Sequence, residues 1–81
     1  MDAGKTGAYL AALRKARGMT QQEAADQLGV SNKTVSKWEN GAGLPDITVL
    51  PALAELYGVT ADDILAGETL RGRPAEAQGP A

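Results

Sequence analysis

Apolar residues recur along this chain at three- and four-residue spacing, and each such run is closed by glycine and followed by a small hydroxyl or amide residue. The pattern predicts five short helices. Thr6 can cap a first helix that runs to Arg17 and ends at Gly18, with Leu10 and Leu13 as its apolar pair. Thr20-Gln21-Gln22-Glu23 has the form of a capping box, in which the Thr hydroxyl and the Glu carboxylate satisfy each other's backbone amides. It opens a second helix to about Leu28, with Ala24, Ala25 and Leu28 facing inward. Gly29 stands where the chain must turn with positive φ. Ser31 caps a third helix from Asn32 to Asn40, with Val30 and Val35 as a hydrophobic staple and Gly41 as its stop.

Gly43, Leu44 and Pro45 read as a loop. Thr48 then caps a fourth helix that carries Pro51 in its first turn and ends at Tyr57-Gly58. Thr60-Ala61-Asp62-Asp63 is a second capping box, with Val59 and Ile64 as its staple, and the fifth helix ends near Gly67. Agreement between caps and apolar faces makes the fold all-α, a compact five-helix domain over residues 6–67. Residues 1–5 are expected to be a flexible N-terminus. Residues 68–81 hold almost no apolar side chain after Leu70 and are expected to be a disordered tail.

Composition narrows the chemistry. The 81 residues include no Cys and no His, which removes the usual thiolate nucleophile, the commonest general base and the commonest metal ligand. No catalytic constellation of carboxylates, Lys, Tyr or Ser stands out, so neither an enzyme nor a metal or cofactor site is expected. No apolar run reaches the ~20 residues that span a bilayer, and no signal peptide is visible, so a cytoplasmic protein without a membrane partner is expected.

The net charge of -2 conceals an uneven distribution. From Lys5 to Gly41 there are six basic and three acidic residues; from Ala42 onward there are two basic and six acidic ones. The first half can face phosphate while the second faces away.

The stretch TQQEAADQLGVSNKTVSKWENG, Thr20 to Gly41, places two helices of about eight residues around a three-residue turn. Small Ala25 lies where they cross. On the third helix Val35 and Trp38 mark the core direction, and at 100° per residue Lys33, Ser36, Lys37 and Asn40 fall opposite, with Asn32 on the flank. Lys donates to guanine O6 and N7 and Asn pairs with adenine, so this face suits the major groove of duplex DNA. Gln21 opens the second helix, where free amides and the positive helix end favour a phosphate. Trp38, at core spacing, is read as packing rather than base stacking, and no aromatic platform for single-stranded RNA is visible.

The segments LRKARGMTQ, LGVS, VSKWENG and YGVTADDIL resemble, at matching spacing, the phage repressor and Cro-type, or XRE-like, helix-turn-helix family. The likeness covers about Thr6 to Gly67. It implies a sequence-specific regulator of transcription that binds a palindromic operator as a homodimer. It implies Asn32, Lys33 and Lys37 on base edges, a set to which Ser36 is added from its place on the same face. It places Gln21, Ser31 and Asn40 at phosphates or in support of the register, with Thr34 grouped among them. It also pairs Arg14 with Glu39 as an internal salt bridge, at the edges of two core faces. Some members of the family are antitoxins, so a protein partner is the alternative. Arg71-Gly72-Arg73-Pro74 resembles one copy of an AT-hook core, with Leu70 where such hooks carry Pro; a plain tail is the reading preferred.

Overall fold

A computed structural model of the chain describes residues 2–70. Five helices follow in order: α1 (Ala3–Ala16), α2 (Gln21–Leu28), α3 (Asn32–Glu39), α4 (Leu50–Tyr57) and α5 (Ala61–Ala66). α3 packs against both α1 and α2, α5 closes on α1 and α4, and α4 touches α2. One core joins them, built from Leu10 of α1, Ala25 of α2, Val35 and Trp38 of α3, Leu50, Leu53 and Tyr57 of α4, and Ile64 of α5.

The capping chemistry explains most of the boundaries. At Thr20 and Thr60 the hydroxyl accepts the amide of the third helical residue, and that residue's carboxylate accepts the capping amide in return. Ser31 takes the Thr34 amide at 3.1 Å. Asn40 is the C-cap of α3 rather than its last helical residue, and Gly41 follows in the left-handed region.

Besides such one-residue shifts, three larger differences from the sequence expectation concern the ends of elements. α1 begins at Ala3, capped by Asp2, whose carboxylate accepts the Lys5 amide at 3.0 Å. Residues 3–5 are therefore helical. Thr6 is no cap: it lies 1% exposed inside α1, and its hydroxyl donates to the Ile64 carbonyl of α5 at 3.0 Å. Nor does Thr48 cap α4. Val49 precedes that helix already in the αR region with no side-chain cap, because the chain enters from a turn and not from the extended backbone that capping needs. Asp46 provides the side-chain acceptor at that corner, taking the Thr48 amide at 3.3 Å.

The third difference concerns the end of the domain. Residues 68–70, expected as the start of a tail, are tied to the fold. The Leu70 amide donates to the Asp63 carboxylate at 3.0 Å, and the Tyr9 and Thr69 hydroxyls meet at 2.9 Å. The rest of the expected tail, with Arg71 to Pro74, lies outside the described residues.

Gly7 is a helical glycine that the apolar pattern does not explain. It is buried where α1 crosses the end of α3, and a Cβ placed on it would collide with the Trp38 carbonyl oxygen and come within 3.2 Å of the Glu39 backbone. Backbone cannot yield as a flexible side chain can. Gly4 is exposed on the same helix, and a Cβ there meets only the Asp2 carboxylate at 3.4 Å. Gly7→Ala is expected to destabilise the domain by ~1–3 kcal/mol through overpacking, whereas Gly4→Ala gains up to ~1 kcal/mol of helix propensity. Thermal melts of the two variants should shift in opposite directions.

Candidate nucleic-acid interface

The turn between α2 and α3 is short because Gly29 ends α2 at φ 73°, with its amide and that of Val30 both bonded to the Ala25 carbonyl. Ala25 is completely buried at the crossing of the two helices. Val35 and Trp38 anchor α3 from below, which fixes its opposite face outward.

That face divides into free and engaged groups. Asn32, Lys33 and Lys37 are exposed, and among the described residues their side chains take no hydrogen bond or ion pair. The other candidates have partners within the chain. Ser31 and Thr34 join their hydroxyls at 2.9 Å, and the Asn40 side-chain amide donates to the Ser36 hydroxyl at 3.3 Å. Ser36 and Thr34 are half-buried, while Ser31 and Asn40 are exposed. Gln21 does not extend freely into solvent: its Nε2 donates to Glu39 Oε1 at 3.0 Å. Its backbone amide and that of Gln22 lie in the first turn of α2, where the helix itself offers no acceptor.

The Glu39 carboxylate is the electrostatic centre of this half of the domain. Arg14 of α1 forks onto it, Nε to Oε2 at 2.8 Å and Nη2 to Oε1 at 2.9 Å. The remaining Arg14 nitrogen, Nη1, donates to the Met19 carbonyl in the α1–α2 turn at 2.8 Å. Side-chain exposure is 11% for Arg14 and 5% for Glu39, so neither charge has access to enough water to stand alone. Arg14 is thus enclosed and unavailable to phosphate. The Met19 carbonyl and the Gln21 amide are members of this network that the sequence reading did not include. No short-range spacing signals the contact, since Gln21 and Glu39 lie 18 residues apart.

Burial pushes the Glu39 carboxyl up, but hydrogen bonds from Arg14 and Gln21 and the Arg14 charge outweigh it and leave the group below its ordinary range. The bond to Glu39 in turn raises Arg14. Burial also raises Tyr57, and the Glu39 charge adds to that shift. Among the described residues no group of acidic side chains is arranged to hold a metal ion, and no helix is long and apolar enough to cross a membrane.

Removing one partner of such a pair leaves the other charge buried. Glu39→Ala is expected to destabilise the DNA-free protein by ~3–5 kcal/mol, measured by denaturant or thermal unfolding. The sign with pH follows from the lowered carboxyl. Its folded value lies below the unfolded value of about 4.3, so its contribution is complete at neutral pH and is lost as pH falls through the folded value. Melts in acid should show this loss in the parent protein, and Glu39→Gln should abolish that part of the pH dependence.

Comparison with known proteins agrees with this geometry. The helix-turn-helix family model matches residues 10–64. The chain is 41% identical over 58 residues to the HTH-type transcriptional activator BcrR of Enterococcus faecalis, a match that covers 72% of this chain and 28% of that protein. Its fold is similar to that of the clp gene regulator ClgR of C. glutamicum, with a TM-score of 0.71 at 25% identity over 83% of this chain and 87% of that one. It is also similar to the restriction-modification controller protein C.AhdI of Aeromonas hydrophila, with a TM-score of 0.72 at 25% identity over 78% of this chain and 96% of that one. The chain spans between 28% and 56% of the first two curated relatives it matches. On the family match and the helix-turn-helix that carries it, the chain belongs to the XRE-like helix-turn-helix family.

Proposed function

We propose that this chain binds duplex DNA sequence-specifically, as a regulator of transcription, by laying α3 in the major groove. The observation that carries the reading is the trio of exposed, unengaged side chains Asn32, Lys33 and Lys37 on a helix whose opposite face is locked into the core. Each can donate to base edges, and Asn32 can both donate and accept at adenine. Ser36 lies on the same face and can add a contact once its bond to Asn40 rearranges.

Around the trio stand groups suited to phosphates. These are Gln21 at the amino end of α2, Ser31 and Thr34 at the start of α3, and Asn40 at its end. The amino ends of α2 and α3 add backbone amides and a favourable helix dipole. Lys and Arg lie mainly in the first half of the chain, so the field on this side attracts DNA although the whole chain is acidic. The family likeness implies two copies on a palindromic site, with no cofactor and no catalytic step. The similar regulators are bacterial, and a DNA-binding regulator in a bacterium works in the cytoplasm.

Selection from a random duplex pool tests the reading directly. A short recurrent sequence with two-fold symmetry is expected, bound at least ~10³-fold tighter than random duplex. Lys33→Ala and Lys37→Ala should each relax preference at defined positions of that sequence, at ~1–3 kcal/mol of discrimination per lost contact. Equal affinity for all duplexes at every salt concentration, or an unaltered selected sequence in both variants, contradicts the assignment.

A further inference from the structure

We infer that Glu39 is a positioning residue for DNA binding, holding the Gln21 side chain in the orientation in which it meets a phosphate. The inference rests on the DNA reading above and adds to it a residue that never touches DNA.

The geometry is specific. Glu39 is the last residue of α3, and Gln21 is the first residue of α2. The 3.0 Å bond between them joins the two ends of the helix pair that lie farthest apart in sequence. Glu39 Oε1 accepts from Arg14 Nη2 as well, so the acceptor that holds Gln21 is itself held. Met19, two residues before Gln21, is fastened by the same guanidinium through Nη1. The Arg14–Glu39 pair therefore sets both the backbone approach to Gln21, through the guanidinium, and the direction of its side chain, through the carboxylate.

The bonding capacity of the amide makes this useful. A glutamine Nε2 carries two protons. One goes to Glu39, which leaves the second, directed by the first, for an external acceptor. A free glutamine would have to be ordered when DNA arrives; one already bonded to Glu39 is ordered beforehand, and the loss of freedom no longer opposes binding. The fork from Arg14 neutralises Glu39, so a buried carboxylate can stand close to a phosphate site without repelling it.

The test separates anchoring from folding. Replacing both charges, as in the double variant Arg14→Met/Glu39→Met, removes the anchor while leaving no unpaired buried charge; apolar replacement of a buried ion pair is often tolerated. This variant, Gln21→Met and the triple variant are compared with the parent on random-sequence duplex, well below every melting point. Gln21→Met is expected to weaken binding roughly 3- to 10-fold, the scale of one side chain's ordering and bond. The charge-pair variant should weaken it by a similar factor, and the triple variant no further. A charge-pair variant that binds as tightly as the parent, or losses that multiply in the triple variant, overturns the inference.

A second measurement needs no charge-pair variant. The Nε2 protons of Gln21, identified in NMR spectra by their disappearance in Gln21→Met, should exchange with solvent more slowly in the free protein than those of exposed Gln27, and one should shift on addition of duplex. Exchange with solvent as fast as that of Gln27 overturns the anchor. A parent protein that binds no duplex at all overturns the DNA reading and this inference with it, whereas binding without coupling between Gln21 and the ion pair overturns this inference alone.

Discussion

A carboxylate with only 5% of its side chain exposed has to be satisfied completely, and in this domain the satisfaction of Glu39 decides how three helices meet. Arg14 reaches it from α1, Gln21 from α2, and Glu39 itself ends α3. Apolar packing alone would tolerate small slides of one helix over another, since a hydrophobic contact has no direction. A forked ion pair with bonds of 2.8 and 2.9 Å does not tolerate them. Burial opposes the charge and the pairing outweighs it, so the network gives the helix contacts a direction as well as a share of the stability.

The backbone makes the same crossing close. Without a side chain at Gly7, α1 lies directly against the Trp38 carbonyl at the end of α3. This approach brings Arg14, further along α1, within reach of Glu39. Below, Ala25 lets α2 and α3 cross at short range, and Trp38 and Val35 fill the space beneath. Contact, charge and the absence of a side chain thus converge on the orientation of a single eight-residue helix.

Local chemistry was legible in the sequence, and chemistry that spans distance was not. Thr20, Ser31 and Thr60 announce helix starts because an N-cap bond joins residues three apart, and the residues on both sides of it are visible in a short window. The same reasoning misplaced Thr6 and Thr48. The Thr6 hydroxyl is claimed by Ile64, 58 residues away, and α4 opens from a turn. Asp2 gives no such signal, because the first apolar pair of α1, Leu10 and Leu13, lies well beyond it. The Arg14–Glu39 pairing came from family likeness and not from spacing. The bond from Gln21 to Glu39, 18 residues apart, has no periodic signature, nor does the burial of Gly7. The face of α3 was legible because helical geometry and two core anchors determine it; which of its polar groups are already occupied by neighbours was visible only in three dimensions.

That occupancy bears on how much information the domain can read. Three side chains on α3 are unengaged, and if each distinguishes one of four base pairs they together select one sequence in about 64. Two copies on a two-fold site, as proposed, would square this to about 4,000, still far below the roughly 10⁶ or more competing sites that a genome presents. Base contacts from so small a vocabulary leave a deficit that other terms must fill. The spacing between half-sites, the width of the groove and the stiffness of base pairs that no side chain touches are then as much a part of the recognised message as the bases themselves.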